Sequence, residues 1–120
     1  MNFTNYLTFK QNYEFKTVYG RGKSFVFPPV VVYIKRNNKG VNRIGVTVSK
    51  KIGCAVKRNR ARRVIVAAFR ELQESLGTGY DIVFVGRTRT TVCKMQEVKK
   101  YMNIAFSEFK AQIKQWKSLL

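Results

Sequence analysis

Hydrophobic positions along this chain change their period several times, and each change marks an element. Phe15, Val18 and Tyr19 recur at helical spacing behind Asn12 and Glu14. This predicts a short helix capped by Asn12 and stopped by Gly20 and Gly22. Pro28-Pro29 then forces an extended entry into the β-branched run Val30-Val31-Val32-Tyr33-Ile34, a strand. Asn37-Asn38-Lys39-Gly40 supplies turn residues for a hairpin. The return strand alternates, with Ile44, Val46 and Val48 on one side and Arg43, Gly45, Thr47 and Ser49 on the other. A helix from about Lys57 to Leu76 ends at Gly77-Thr78-Gly79, and Tyr80 to Val85 reads as a third strand. From about Cys93 to Trp116, an apolar stripe of Met95, Val98, Met102, Ala105, Phe106, Phe109, Ile113 and Trp116 predicts a long amphipathic helix against the core. The order α-β-β-α-β-α predicts an α+β fold, an α-β sandwich with helices on a small central sheet.

At 120 residues the chain has material for one domain, residues 1–120, and no repeat, low-complexity tract or linker divides it. With no histidine, Ser-His-Asp and Cys-His catalysis, His-ligated zinc and paired-His ribonuclease chemistry are excluded. The six acids are Glu14, Glu71, Glu74, Asp81, Glu97 and Glu108, too scattered to converge on a protein-borne two-metal nuclease site. Cys54 and Cys93 form no CxxC and read as reduced thiols of a cytoplasmic protein. No apolar run approaches the roughly 18 residues of a membrane span, and Met1 to Lys10 is not a signal peptide.

Charge is the most telling feature of the composition. The formal net charge is +18, and every charged residue between Glu14 and Glu71 is Lys or Arg. Mixed charges would give solubility without that repulsion, so a polyanionic partner is expected, nucleic acid first and an anionic membrane surface as runner-up. The arginines of the basic helix turn this to structured RNA, with no DNA and no membrane expected. On the helix near Lys57–Leu76, Ala61, Val64, Ile65, Ala68, Phe69, Leu72 and Leu76 fall within a stripe of about 140°. That is the buried face. Asn59, Arg63 and Arg70 project opposite it, Arg60 lies to one side, and Arg62 sits at the stripe's other edge. Arg58 is in the first turn. Guanidinium groups displayed on a rigid element can grip phosphates in a bidentate manner, and the helix N-terminus adds its own free N–H groups.

The stretch from Arg43 to Arg63, with Ser49-Lys50-Lys51-Ile52-Gly53 followed by Lys57-Arg58-Asn59-Arg60-Ala61-Arg62-Arg63, resembles the signature of the bacterial ribonuclease P protein subunit. Tyr13-Glu14-Phe15-Lys16-Thr17-Val18-Tyr19 is similar to that family's first helix, and the likeness runs from about residue 7 to 115. The resemblance implies a sandwich with a left-handed β-α-β crossover. It also implies a cofactor role beside a catalytic RNA subunit, whose bound Mg²⁺ removes the 5′ leader from precursor tRNA. By position, Lys50, Lys51, Lys57, Arg58, Asn59, Arg60, Arg62, Arg63 and Arg70 would face the ribonuclease P RNA. A cleft between the sheet and the first helix would take the leader, with Phe15, Lys16, Tyr19, Tyr33 and Arg43 around it. Aromatic platforms in a basic groove hold single-stranded RNA without sequence preference. Phe15 shares its helix face with Val18, so core and cleft both remain open for it. Two departures from the family's pattern stand out: Phe25-Val26-Phe27-Pro28-Pro29 is unusually apolar, and the tail before the first helix carries only Lys10. The competing reading is a non-catalytic structured-RNA binder of ribosomal or RNA-chaperone type, which would share the charge but need no aromatic cleft.

Overall fold

The last strand of the sequence is the central one in space. A computed structural model describes residues 6–9 and 11–118, with side chains through 114. The strands are β1 (Tyr6–Thr8), β2 (Lys23–Val26), β3 (Val30–Arg36), β4 (Asn42–Thr47) and β5 (Tyr80–Gly86). The helices are α1 (Asn12–Arg21), α2 (Ala55–Leu76) and α3 (Met95–Ser118), with short 3-10 turns at Lys50–Ile52 and Thr88–Thr91. The sheet order is β1-β4-β5-β3-β2. β5 lies antiparallel to β3 and parallel to β4, and α2 joins the parallel pair as a β-α-β unit.

The expected α+β sandwich is the one found, with two further strands and one connection corrected. Asn37–Gly40 does not close a hairpin, because β5 inserts between β3 and β4. Of the three, β5 carries the most continuously buried sequence, and burial on both faces favours the centre of a sheet. The antiparallel neighbour of β3 on its other side is β2, reached through Phe27-Pro28-Pro29. β1 and β2 are edge strands of three and four residues, too short to show a period. Helix limits shift slightly. Gln11, not Asn12, is the N-cap of α1, its backbone N–H donating to Glu14 Oε1 at 2.9 Å. Gly20 lies inside that helix, and Gly22 ends it. α2 starts at Ala55 and α3 at Met95. The alternating strand stops at Thr47, leaving Ser49 to accept a hydrogen bond from Lys51 N.

Side-chain alternation divides the sheet into two faces. Val30, Val32, Ile34, Ile44, Ile82 and Phe84 face α2 and α3, which contribute Ile65, Ala68, Phe69, Val98, Met102 and Phe106. The Phe69 ring meets those of Tyr6, Phe84 and Phe106, so β1 is fastened to the same core. The apolar stripes expected on α2 and α3 are the buried ones; Trp116 and Lys10 lie outside the described residues and side chains. On the other face α1 rests over a smaller cluster of Phe9, Val18 and Val83, flanked by Phe15, Tyr33 and Val85. Gly45 makes this approach possible. A Cβ there would lie 2.7 Å from Phe9 Cδ2 and nearer still to Phe15 Cε1.

Candidate RNA interface

Sequence places the basic residues, but local geometry decides which of them are available. Lys50 and Lys51 stand exposed on the 3-10 turn before α2. Gly53 follows with φ +153°, a conformation that side-chain-bearing residues rarely adopt. Cys54 is the N-cap residue of α2, so the helix opens directly behind this lysine pair. Lys57, Asn59, Arg62, Arg63 and Arg70 are all exposed along it. Among the described residues, none of the arginines on α2 is paired with a carboxylate. Glu71 of α2 takes Lys99 of α3 at 2.9 Å.

Two of the expected phosphate grips are engaged elsewhere. Arg60 turns back under the helix: its Nη1 donates to the carbonyls of Thr90 (3.2 Å) and Thr91 (2.8 Å), and its Nη2 to Cys93 (3.0 Å). By meeting those turn carbonyls it clasps α2 to the β5–α3 connection. Arg58 Nε donates to the Gly53 carbonyl at 3.2 Å and steadies the start of the helix. Arg70 Nε reaches Tyr6 Oη at 3.2 Å. Arg62 and Arg70, with Val66, line two adjoining hollows of about 380 and 400 Å³ on the outer side of α2 and toward β1.

On the opposite face the cleft residues fall into rows set by strand register. The first row is Lys35–Asp81–Arg43, the second Ser24–Tyr33–Val83–Gly45, the third Val26–Val31–Val85–Thr47. The side chains of α1 occupy the first two. Glu14 meets Arg43, Phe15 sits over Gly45, and Tyr19 meets Tyr33 edge-on with ring centroids 4.8 Å apart. The third row lies beyond these contacts and includes Val26, which is 66% exposed. Tyr19 (39% exposed) and the half-buried Tyr33 form the wall between α1 and that open row. Lys16 is exposed on α1. Phe15 is half-buried, edge-on to Phe9, and so belongs mainly to the small core.

Arg43 is not a free cation of this cleft. It grips Asp81 with two hydrogen bonds (2.9 and 2.8 Å), donates to Glu14 Oε2 at 3.0 Å and lies over the Phe9 ring. Burial alone would push the Asp81 carboxyl up. The hydrogen bonds from Arg43 and Asn37, with the charges of Arg43 and Lys35, outweigh it and hold that carboxyl below the ordinary aspartate range. The hydrogen bond to Asp81 raises Arg43 in turn, against the opposing effect of burial. Three elements, α1, β4 and β5, are tied at this point. A signal was present in the sequence: Glu14 and Asp81 are isolated acids in a basic chain, and buried carboxylates need partners. The open row itself gave none, since Val26 and Thr47 reveal their exposure only once the register is known.

Among the described residues no three His, Cys, Asp or Glu side chains converge as a metal site, and no helix is long and apolar enough to cross a membrane. The sequence profile of the Ribonuclease P family matches residues 3–110. The chain belongs to the ribonuclease P protein family. It is 46% identical over 93 residues to the ribonuclease P protein component of Thermoanaerobacter sp. (strain X514), covering 78% of this chain and 80% of that one. With the protein component of Clostridioides difficile (strain 630) identity is 39% over 101 residues, covering 83% and 89%. The solved structure of the Staphylococcus aureus RNase P protein superposes with a TM-score of 0.70 at 30% identity, covering 86% of this chain and 94% of that one. Family membership makes this chain the protein component of a tRNA-processing ribonucleoprotein endoribonuclease, acting with a catalytic RNA.

Proposed function

We propose that the chain serves this ribonucleoprotein with two separate surfaces. The outward side of α2, with Lys50, Lys51, Lys57, Asn59, Arg62, Arg63 and Arg70, docks on the ribonuclease P RNA. The open row beside α1, walled by Tyr19 and Tyr33, holds the single-stranded 5′ leader of precursor tRNA. The observation that carries this reading is the contrast in partners: among the described residues the α2 cations pair with no carboxylate, whereas Arg43 beside α1 has two. Outward charge favours helical RNA phosphates. A neutralised floor with aromatic walls favours stacked, unpaired bases.

Mg²⁺ belongs with the RNA in this scheme. It requires several oxygen ligands around one point, and among the described residues no three acids converge: Glu14 and Asp81 are held by Arg43, Glu97 by Arg89, and Glu71 by Lys99. The protein therefore positions and neutralises, while the cytoplasmic RNA partner cleaves. Reconstitution with a bacterial ribonuclease P RNA at low Mg²⁺ tests the division of labour. Cleavage at the mature 5′ end should require the RNA, and robust cleavage by the protein alone would overturn it. Tyr33→Ala tests the cleft: it should weaken binding of precursor but not of leaderless tRNA, and equal loss for both would remove the leader from this row.

A further inference from the structure

A basic basin lies at the other end of the molecule from the start of α2. It has a volume of about 450 Å³ and sits where the C-terminal ends of α1, β3 and α3 meet the first residue of β2. Its floor is apolar, formed by Ile34, Phe109 and Ile113, and its rim carries Arg21, Lys23, Lys35 and Arg36. Among the described residues no carboxylate lines it. Lys35 Nζ donates to the Arg36 carbonyl at 3.0 Å and its charge reaches Asp81. Among the described residues Arg21, Lys23 and Arg36 make no ion pair, and all three are exposed. Four cations around an apolar floor suit a ligand with negative charge on one side and a flat, weakly polar body on the other. A nucleotide within an RNA strand has that form.

Its position names the strand. The basin opens on the α2/α3 side of the sheet and the open row on the α1 side, so the edge strand β2 is the border a leader would pass round: Val26 at one end of β2 belongs to the row, and Lys23 at the other end lines the basin. Four residues of β-strand span only about 13 Å. We propose that the basin is a second seat for the precursor's leader, holding phosphodiesters upstream of those beside α1. Arg21 and Arg36 take the charge, and the half-buried Ile113, backed by the buried Phe109, offers the apolar surface for a base. This inference rests on the leader reading given above, and the basin extends it to longer leaders.

The test uses holoenzyme reconstituted with wild-type chain or with Arg21→Gln/Arg36→Gln. Two precursors are compared across a salt series, one with a leader that ends beside α1 and one with an extended, unstructured leader. The short-leader precursor should bind both holoenzymes equally. The long-leader precursor should bind the variant several-fold more weakly, with its salt slope shallower by about 1.4, from about 0.7 per single-strand phosphate contact and two cations removed. Lys94→Gln/Lys100→Gln removes the same charge from exposed positions at the start of α3 and should show no dependence on leader length. Equal loss for both leaders, no loss for the long one, or the same effect in the α3 control would each overturn the proposal. If Tyr33→Ala spares leader binding while Arg21→Gln/Arg36→Gln removes the long-leader gain, the row beside α1 is excluded and the basin stands.

Discussion

Arg60 and Arg63 are three residues apart on one helix and share a chemistry, yet they should fail in opposite ways. Arg60 donates three hydrogen bonds to carbonyls of the β5–α3 connection, where Thr90, Thr91 and Cys93 are buried. Charge-assisted bonds are worth more than neutral ones, but Arg60 is only half-buried and water partly replaces it. At about 1 kcal/mol net for each bond, Arg60→Ala should cost about 2–3 kcal/mol. Unfolding entropy near about 2.1 cal/mol/K per residue gives about 0.25 kcal/mol/K for 120 residues. The melting temperature should therefore fall by about 8–12 °C. Arg63 is exposed and has no partner of this kind, so Arg63→Ala should stay within about 0.5 kcal/mol of wild type. Calorimetry in phosphate buffer reads the first effect. Binding to the RNA subunit across a salt series reads the second, where Arg63→Ala should flatten the slope by about 1. An Arg60→Ala protein that melts like wild type but loses a unit of salt slope would refute the assignment of Arg60 as a clasp.

Two further outcomes follow from charged and reactive groups. Because Asp81 is held below its unfolded value, its pairing with Arg43 stabilises the fold above about pH 4 and is lost as pH falls through the depressed value. Asp81→Asn should cost about 3 kcal/mol near neutrality, the lower end of the range for breaking a buried pair, and the gap to wild type in urea melts should close on acidification; a gap independent of pH would show that the carboxylate charge is not what acts. Cys54 is exposed at the N-cap of α2, and the Lys57 backbone N–H facing its sulfur, against slight desolvation, lowers its thiol below the ordinary cysteine value. It should be alkylated faster than the buried Cys93 and be shielded when the RNA subunit binds; undiminished alkylation in the complex would place the RNA away from the start of α2.

What could be read in the sequence was what depends on neighbours along the chain. The stripes Ala61–Leu76 and Val98–Phe109 state their buried faces by spacing alone, because a helix fixes which residues lie side by side. The basic exposed side of α2 was legible for the same reason. Strand order was not. The turn residues Asn37–Gly40 fit a hairpin locally, but the insertion of β5 depends on burying Ile82 and Phe84 under two helices distant in sequence. Once β5 is central, Asn37 Nδ2 donates to Asp81 Oδ1 at 2.6 Å and becomes a tie to that strand. Arg43 and Arg60 carried no mark separating them from Arg62 or Arg63. Their partners lie 38 residues away for Arg43–Asp81 and 30 to 33 residues away for Arg60 and its carbonyls.

The few acids of this chain explain how a body of net charge +18 holds together while keeping its cations outward. Glu14 and Asp81 join α1, β4 and β5 through Arg43, Glu71 joins α2 to α3 through Lys99, and Glu97 joins α3 to the preceding turn through Arg89. Each pair lies at a junction between elements, where it fixes packing geometry, and none lies on the outward side of α2. A carboxylate among Lys57–Arg63 would lower self-repulsion in the free protein but would compete with phosphate in the complex; the exposed acid on this side, Glu74, stands beyond Arg70 near the end of the helix. The arrangement therefore trades stability alone for affinity in the holoenzyme. RNA binding returns that stability, since a ligand that binds only the folded state stabilises it in proportion to the logarithm of its concentration over Kd. On the docking proposed for α2, repulsion among Lys50, Lys51, Lys57, Arg62 and Arg63 would be relieved by the partner rather than within the fold.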